Sequence, residues 1–424
     1  MCYAIPGKVL DIQGKQVTVD YFGEKKKALN EIIDLKLGDY IYAQGGYVIQ
    51  KVSEKEAIET LETWKELFFE LREKDLRLSA LSHQGKINRD IAVILDKAGE
   101  GRQLSKAELL KLFNISDHQE LDYLFKTANF LRQKHLGNSC CVHGIIEFSN
   151  YCKNDCTYCG IRQSNTIVER YRMSDEDILS AVNEAVEKYG FKALVLQAGE
   201  DPEFTVERLE RLIKEIKAKH AVLIFISVGE IGREGLETLF KAGARGLLMR
   251  FETSDPELYS KLHCGDKLAD RISDLKAAYE LGYLVLTGGL VGLPGQTTES
   301  LIDDILLAKE LHAEMATFGP VIPKGTSTDV MLKVLALTRL ADPKNARIVV
   351  TTGFETLDPE ARRKGLLAGA NSLMLNVTPL KYRKLYNIYP DRAHETETIE
   401  KQIDGALELL YSLGRAPTDL GHSS

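Results

Sequence analysis

The sequence predicts an α/β protein, in which a (β/α)8 barrel of the TIM type follows a small, OB-like N-terminal β-barrel. Eight short apolar runs alternate with amphipathic helical segments over residues 144–376. Eight parallel strands with intervening helices are the count for a closed barrel. Residues 1–52 instead alternate apolar and polar positions and carry glycines at 7, 14, 23, 38, 45 and 46, which is typical of short strands in a small barrel.

The rest of the chain divides around these two parts. Ser53 and Glu56 have the spacing of a capping box at a helix N-terminus, which predicts a connecting helix over residues 53–78. Residues 79–143 are predicted to form a helical prelude to the barrel at 144–376. Residues 377–424 are predicted to form a C-terminal helical segment.

The apolar runs that predict the barrel strands are each too short to cross a membrane. They are residues 144–148, 193–197, 222–227, 246–251, 284–291, 316–322, 348–352 and 372–376. In a parallel barrel the active site lies at the carboxyl ends of the strands. Chemistry is therefore expected in the segments that follow these runs.

The composition is that of a globular chain. Its 424 residues are 44% hydrophobic and carry a formal net charge of -7, so no basic stripe favours nucleic acid. No run reaches the roughly 18 uninterrupted apolar residues of a membrane span, and Lys8, Asp11 and Lys15 come too early for a secretory signal. We therefore expect no nucleic-acid partner and no membrane segment.

Three cysteines lie close together after the first apolar run. Cys152, Cys156 and Cys159 form a C-x3-C-x2-C triplet. A 4Fe-4S cluster normally takes four cysteines, so three leave one iron open to a small molecule, and these thiolates are the expected catalytic centre and metal ligands. A zinc knuckle or a structural cluster is the alternative, although zinc would need a fourth Cys or His at ligand spacing and His143 lies upstream of the loop.

The triplet resembles the motif of the radical SAM superfamily, whose open iron binds S-adenosylmethionine (SAM). The resemblance implies a 4Fe-4S cluster and SAM as cofactors, and it implies that Tyr158, just before the third cysteine, leans on the adenine. A reduced cluster needs a reducing compartment, and the other four of the seven cysteines are scattered rather than arranged as a disulfide framework. The expected location is cytoplasmic.

Polar residues follow the second and fourth predicted strands. Gly199 and Glu200 come after the second, where Glu200 resembles the superfamily's acceptor for the SAM amino group; an ordinary glycine turn is the alternative. Arg250 and Glu252 are expected on the same side of an extended chain after the fourth, and one cation with one anion suits a zwitterionic ligand. Arg271 falls where a following helix could bring its guanidinium to a carboxylate, or it forms a surface salt bridge.

Glycines, threonines and a tyrosine-rich run follow or end the later predicted strands. Gly292 and the glycines before it offer backbone that could contact a purine, although loop closure alone also explains them. Thr351 and Thr352 end the seventh predicted strand, and a tyrosine-rich run covers residues 382–390. For the threonines and tyrosines a structural role is an equal alternative.

Residues 80–415 resemble the HydE family, the radical SAM maturase of iron-iron hydrogenase, in the same group as biotin synthase and methylornithine synthase. The matching segments include Ile-Ile-Glu-Phe-Ser-Asn-Tyr-Cys, Leu-Gln-Ala-Gly-Glu-Asp-Pro, Arg-Phe-Glu-Thr and Val-Gly-Leu-Pro-Gly-Gln-Thr. The resemblance implies cleavage of SAM to a 5'-deoxyadenosyl radical that acts on a small cysteine-bound iron carbonyl cyanide. It implies that SAM is held by Gln197, Glu252, Arg271 and Tyr386, and that the barrel cavity is faced by Thr351 and Thr352.

Two features depart from that family. Its optional C-terminal cysteine set is missing, because no cysteine follows Cys264, so a second cluster is not expected. Arg250 is followed by Phe251 where the family tends to have histidine. This difference concerns the substrate cavity.

Residues 1–70 resemble the HypC/HupF chaperone family of nickel-iron hydrogenase maturation. The likeness rests on Met-Cys-Tyr-Ala-Ile-Pro-Gly-Lys-Val at the N-terminus, Leu-Gly-Asp-Tyr and Gly-Tyr-Val-Ile-Gln-Lys-Val, and it implies that Cys2 holds an iron bearing cyanide and carbonyl. The family's metal-side histidine falls at Gln44, however, and an amide is a poorer iron ligand than imidazole. A purely structural barrel is an equal alternative. Together the two signatures suggest the hypothesis that a substrate passes from Cys2 to the large barrel.

A hydrogenase-cofactor maturase is the first interpretation of the whole chain. Its expected partners are a small organometallic substrate, other hydrogenase maturation proteins and an electron donor. The alternatives are a radical SAM isomerase of an organic substrate, of the methylornithine synthase type, and an iron carbonyl cyanide carrier or scaffold. Of the remaining cysteines, adjacent Cys140 and Cys141 are expected to be buried, idle thiols, and Cys264 is an incidental loop thiol or a substrate contact.

Overall fold

The computed structural model describes residues 3–31, 33–82, 87–263, 266–323 and 325–420. Five strands near the N-terminus close into a small barrel, and eight parallel strands farther along the chain close into a larger one. The predicted α/β class and both predicted barrels are confirmed.

The small barrel is built from short strands with alternating burial. They are β1 (Gly7–Gln13), β2 (Gln16–Tyr21), β3 (Glu24–Leu29), β4 (Tyr40–Gln44) and β5 (Tyr47–Val52). Their order is β1-β2-β3-β5-β4, and β4 pairs back with β1. On β2 the buried residues Val17, Val19 and Tyr21 alternate with less buried ones, which is the period of two that the sequence pattern predicts.

Helix α1 (Glu54–Leu78) connects the two barrels. It begins after Ser53, whose side chain accepts a hydrogen bond from the backbone N–H of Glu56, as the capping spacing predicts. Its apolar face packs on the small barrel, where Phe68 lies edge-on to Tyr3 with 5.1 Å between ring centroids. Three more helices precede the large barrel: α2 (Arg89–Gly99), α3 (Lys106–Phe113) and α4 (His118–Leu136).

The large barrel uses the predicted apolar runs with different ends. The remaining strands are β6 (Ser139–Ser149), β7 (Ala193–Ala198), β8 (Leu223–Ser227), β9 (Ala244–Leu248), β10 (Leu284–Thr287), β11 (Leu290–Val291), β12 (Met315–Ala316), β13 (Gly319–Pro320), β14 (Arg347–Val350), β15 (Ser372–Asn376) and β16 (Ala416–Pro417). The barrel closes where β15 pairs in parallel with β6, and β16 extends the sheet beside the start of β6. Strand β6 begins at Ser139, so it takes in the end of the predicted helical prelude.

Two predicted runs, 284–291 and 316–322, each divide into two strands. Strands β11 and β13 pair with each other outside the eight-stranded barrel. Close backbone contacts mark the division: a Cβ on Gly288 would lie 2.8 Å from the backbone of Thr317, and one on Gly289 would lie 2.6 Å from the carbonyl oxygen of Glu252. These two glycines therefore serve loop closure.

Side chains of β6 alternate between the barrel interior and the surrounding helices. Cys141 and Ile145 belong to an interior apolar cluster. Cys140, Val142 and Ile146 belong to the layer between the strands and the helices. Adjacent cysteines thus face different surroundings.

Helices surround the barrel, as the amphipathic segments predict. They are α5 (Asp175–Asn183) with a π-helical continuation (Glu184–Lys188), α6 (Val206–Lys219), α7 (Gly232–Ala242), α8 (Pro256–Leu262), α9 (Leu268–Leu281), α10 (Thr298–Glu310), α11 (Thr328–Ala341), α12 (Thr352–Leu357), α13 (Ala361–Leu367), α14 (Leu380–Arg383) and α15 (Ile399–Ser412). None of the described helices has the length and apolar character needed to cross a membrane.

The hairpin between β4 and β5 packs against the amino end of the large barrel. Tyr47 shares an apolar cluster with the interior residues Phe225 and Leu286, and its hydroxyl donates a hydrogen bond of 2.7 Å to the carbonyl oxygen of Gly282. A Cβ on Gly45 would lie only 2.7 Å from Leu284. The small barrel therefore covers the end of the large barrel opposite the carboxyl ends of its strands.

Candidate active site

A cavity of about 320 Å³ opens at the carboxyl ends of the barrel strands. All but one of the predicted site residues that the structure describes line it: Cys152, Cys156, Tyr158, Cys159, Gln197, Gly199, Glu200, Arg250, Glu252, Arg271, Thr351, Thr352 and Tyr386. The exception is Gly292, where a Cβ would lie 1.9 Å from the carbonyl oxygen of Gly325, so close backbone packing explains this glycine.

The cysteine loop follows β6 directly and is fixed by backbone contacts. The N–H of Cys159 donates to the carbonyl oxygen of Cys156 at 3.0 Å, and the N–H of Gly160 donates to Ile388 at 2.7 Å. The N–H of Asn154 lies 3.5 Å from the Cys152 sulfur. The loop thus holds three thiols on one wall of the cavity.

The donor set of this loop fits an iron-sulfur cluster. Burial raises the pKa of the Cys156 and Cys159 thiols, that of Cys159 to about 12, and a bound cation would offset this by stabilising the thiolates. His143 does not supply the fourth ligand that the zinc alternative needs, since it lies lower in the barrel beside Asp419. The other described cysteines, Cys140 and Cys141, lie near the start of β6, so the described part of the chain offers a cluster three thiols, as an open iron requires.

Glu200 is held at the mouth of β7 by two glycines. A Cβ on Gly199 would lie 2.2 Å from the carbonyl oxygen of Tyr151, so only glycine lets this turn pass the cysteine loop. Gly229 has φ +77°, and a Cβ there would lie 2.0 Å from Cγ of Glu200. The carboxylate of Glu200 also lies 3.2 Å from Nζ of Lys153.

Arg271 comes from α9 and is buried, with only 5% of its surface exposed. Its Nε donates to Glu230 at 2.8 Å, and its Nη1 donates to the carbonyl oxygen of Arg250 at 3.0 Å. Its Nη2 lies 3.4 Å from Glu200. The alternative of a surface salt bridge is therefore wrong, because this buried guanidinium contacts the segments that follow β7, β8 and β9 in the cavity wall.

Glu252 does not lie in the extended chain that its sequence position suggests. Strand β9 ends at Leu248, and Glu252 has φ +68°, in the left-handed region. Its Oε2 atom is buried and has no hydrogen-bond partner among the described residues. Burial raises the pKa of this carboxyl, while the positive charges of Arg250 and Arg271 lower it. A buried acceptor facing the cavity suits a donor on a bound ligand.

Apolar and aromatic residues form another part of the wall. Tyr158 packs against the cluster of Leu258, Leu290 and Leu293, and its ring centroid lies 6.2 Å from that of His263. Burial is the larger cause, and the positive charge of Arg271 the smaller one, that hold the pKa of His263 well below its ordinary value. This neutral, apolar surface fits a purine.

Hydroxyl groups line the interior beyond the cysteines. The Nε2 of Gln197 lies 3.4 Å from the hydroxyl of Tyr386. A Cβ on Gly319 would lie 3.0 Å from Nη1 of Arg250 and 3.4 Å from Oγ1 of Thr351. The arginine and threonine side chains therefore converge at one point.

Glu147 and Arg392 form a buried ion pair in this cavity that the sequence did not single out. The Nη2 of Arg392 donates to Glu147 at 3.0 Å, and the side-chain amide of Asn376 donates to the same carboxylate at 2.8 Å. Period-two alternation on β6 predicts that Glu147 faces inward with Ile145. Nothing in the sequence links it to Arg392, which lies after the last barrel strand.

Two of the cysteines considered in the sequence analysis have positions that the structure does not describe. Cys2 and Cys264 are not among the described residues. Gln44, where the resemblance places the HypC family's histidine, is buried, and neither of its amide atoms has a hydrogen-bond partner among the described residues.

Comparison with known proteins decides the family. The FeFe hydrogenase maturase subunit HydE of Thermotoga maritima is 39% identical over 334 residues, which are 76% of this chain and 94% of that protein. The chain belongs to the HydE family of radical SAM enzymes. The family model of the radical SAM superfamily matches residues 146–308, and that of the HupF/HypC family matches residues 1–64. This HydE-family chain is therefore an enzyme with a HypC-like N-terminal domain.

Other relatives share the large barrel of the HydE-family chain. The 3-methylornithine synthase of Methanosarcina acetivorans is 30% identical over 333 residues, covering 76% of this chain and 93% of that protein. The crystal structure of a methylornithine synthase superposes with a TM-score of 0.66 at 27% identity, covering 77% of this chain and 97% of that chain.

Proposed function

We propose that this enzyme holds a 4Fe-4S cluster on Cys152, Cys156 and Cys159 and, with SAM, acts on a small cysteine-bound iron carbonyl cyanide during hydrogenase maturation. When bound, the cluster supplies the electron that cleaves the sulfonium of SAM. Glu200, Glu252 and Arg271 orient SAM, and Tyr158 contacts its adenine. A reducing, cytoplasmic setting with an electron donor and other maturation proteins follows from this chemistry.

The observation that carries the proposal is the continuity of one cavity from the three thiols to Arg250 and Thr351. A cavity of about 320 Å³ has the size of a small-molecule site, which favours a small substrate over a protein segment.

The far side of the cavity suits an anion. Arg250 makes no salt bridge with any described residue, and its guanidinium lies beside Gly319, as the hydroxyl of Thr351 does. Thr317 also lines the cavity, and its buried hydroxyl has no hydrogen-bond partner in the described part of the chain. The Arg250 cation and the Thr317 hydroxyl can bind a carboxylate or cyanide by charge-assisted and neutral hydrogen bonds. We place the amino acid carboxylate of the substrate there.

The experiment that tests the substrate is a comparison of 5'-deoxyadenosine formation by the reduced, cluster-loaded protein with and without the cysteine-bound iron complex. Stimulation by the complex, reduced in Arg250→Gln, supports the maturase. Stimulation by ornithine or lysine instead supports an isomerase of the methylornithine synthase type, which the 30% identical relative favours. Absence of SAM cleavage with a loaded cluster supports a carrier.

A further inference from the structure

Three potential metal ligands meet at the amino end of the large barrel, far from the cysteine loop. Cys141 and His143 occupy alternate, inward-facing positions of β6, and Asp419 follows β16. All three are buried, and one donor atom from each lies within 4.8 Å of the other two. The segment after β16 therefore lies beside the first strand of the large barrel.

The distance between the histidine and the aspartate suits two ligands of one ion. His143 Nε2 and Asp419 Oδ2 are 3.4 Å apart, longer than the ~2.7–2.9 Å of a charge-assisted hydrogen bond. Around a tetrahedral zinc with bonds of ~2.0–2.3 Å, ligand atoms lie about 3.3–3.8 Å apart.

Ring packing and Asp419 together position the imidazole. Its ring stacks on Phe225 with 4.9 Å between centroids. Its Nδ1 atom is buried without a hydrogen-bond partner among the described residues. The ring is thus fixed with its Nε2 atom turned toward Asp419, the orientation that a shared ion needs.

The space and the charge also fit a single ion. A cavity of about 10 Å³ adjoins the three ligands, enough for one ion or water. Glu314 and Arg347 line the same cavity and pair with each other, so the thiolate and the Asp419 carboxylate balance a divalent cation. Gly45 of the small barrel lies against this cavity.

We propose that Cys141, His143 and Asp419 bind one divalent cation, of which zinc is the best match. A thiolate, an imidazole and a carboxylate are ligands that zinc prefers, and binding releases the thiol proton to solvent. The ion links the C-terminal segment to β6 at the barrel end that the HypC-like domain covers. This structural site is separate from the cluster and does not depend on the proposed substrate.

The test measures zinc bound by the full chain after Cys152, Cys156 and Cys159 have been replaced by alanine, so that the cluster loop holds none. After equilibration with zinc and gel filtration, elemental analysis should find about one equivalent per chain. Cobalt in place of zinc should give the thiolate-to-cobalt absorption band, which reports the cysteine ligand without any change at the site itself.

Two further substitutions locate the ion. Cys141→Ser and Asp419→Asn should each weaken zinc binding about tenfold or more. Cys140→Ser is the matched control, because Cys140 is equally buried and adjacent but faces the helices, and it should retain the metal. Absence of zinc and of the cobalt band in the parent, or full retention in both ligand variants, would overturn the proposal and leave a buried ion pair.

Discussion

Glu252 is placed where the fold opposes its charge. Its Oε2 is buried and has no hydrogen-bond partner in the part of the chain that the structure describes, its backbone lies in the left-handed region, and burial raises its pKa. Strained, charged residues of this kind concentrate at functional sites because the ligand, rather than the apoprotein, satisfies them.

Replacing Glu252 by glutamine should weaken SAM binding by about tenfold or more, because a charged hydrogen-bond acceptor is lost. Isothermal titration of the cluster-loaded protein with SAM measures the effect. Glu257→Gln, at an exposed position nearby, should bind SAM as the parent does. Equal affinity in both variants would remove Glu252 from the SAM site.

The same substitution should raise the stability of the ligand-free protein at neutral pH. Folding raises the pKa of this carboxyl, so the folded state is favoured below the unfolded pKa and this contribution is lost as the pH rises through the folded pKa. Above that pH the parent buries a charged carboxylate, whereas glutamine stays neutral. The melting temperature of Glu252→Gln should therefore exceed that of the parent at pH 7, and the difference should vanish below about pH 4. A variant less stable than the parent at pH 7 contradicts this account.

Gly229 should be required for the position of Glu200. In Gly229→Ala the new Cβ would occupy the space of the Glu200 side chain, at 2.0 Å from Cγ, so SAM affinity should fall about tenfold or more. Gly232→Ala is the control: it too has a positive φ, +69°, but nothing lies within 4 Å of its Cβ. If both variants lose the same affinity, backbone strain alone is responsible.

At the scale of elements, a buried ion cluster joins α1 to the barrel. Asp75 on α1 accepts two hydrogen bonds of 2.7 Å from Arg132 on α4, and Arg415, just before β16, lies 3.2 Å away. All three side chains are at most 1% exposed. The connecting helix is therefore fixed to both the prelude and the C-terminal segment.

Asp75→Ala should destabilise the protein by about 3–5 kcal/mol, because it leaves two guanidinium groups buried without their carboxylate. Urea denaturation followed by circular dichroism measures the shift in the first transition. Glu73→Ala, exposed on the same helix, should change stability by less than about 0.5 kcal/mol. A small effect at Asp75 would mean that the helix docks by apolar packing alone.

The hairpin that docks the HypC-like domain offers a second matched pair. Gly45 and Gly46 both have positive φ, but only a Cβ at Gly45 would contact the barrel, at 2.7 Å from Leu284 and 2.8 Å from Leu223. Gly45→Ala should therefore cost about 1–3 kcal/mol more than Gly46→Ala and should raise hydrogen exchange in β4 and β5. Equal exchange in the two variants would contradict the docking.

Sequence patterns predicted the elements better than their ends. Apolar runs located all eight barrel strands, since buried parallel strands are apolar throughout. The division of 284–291 was not predictable, because it depends on contacts of Gly288 and Gly289 with distant backbone. The cysteine triplet and the motifs after the other strands located the cavity wall, because these residues directly follow strands that the pattern predicts. The Glu147–Arg392 pair, distant in sequence, required the fold.

At the scale of the whole molecule, the two barrels are arranged end to end with the chemistry at one end. The HypC-like domain packs beneath the large barrel, and interior residues such as Phe225, Leu286 and Met315 lie between it and the cavity. The hand-off from Cys2 to the large barrel stays a hypothesis, because Cys2 lies outside the described residues. Covering the amino end of the barrel is the role that the described contacts support.

The central claim is that the cysteine loop and its cavity cleave SAM. The most direct measurement is anaerobic formation of 5'-deoxyadenosine from SAM by the full-length protein, reconstituted with iron and sulfide and chemically reduced, beside Cys152→Ala treated in the same way. The account predicts product from the parent and none from the folded variant. Equal product from both, or none from a parent that carries its cluster, would contradict it.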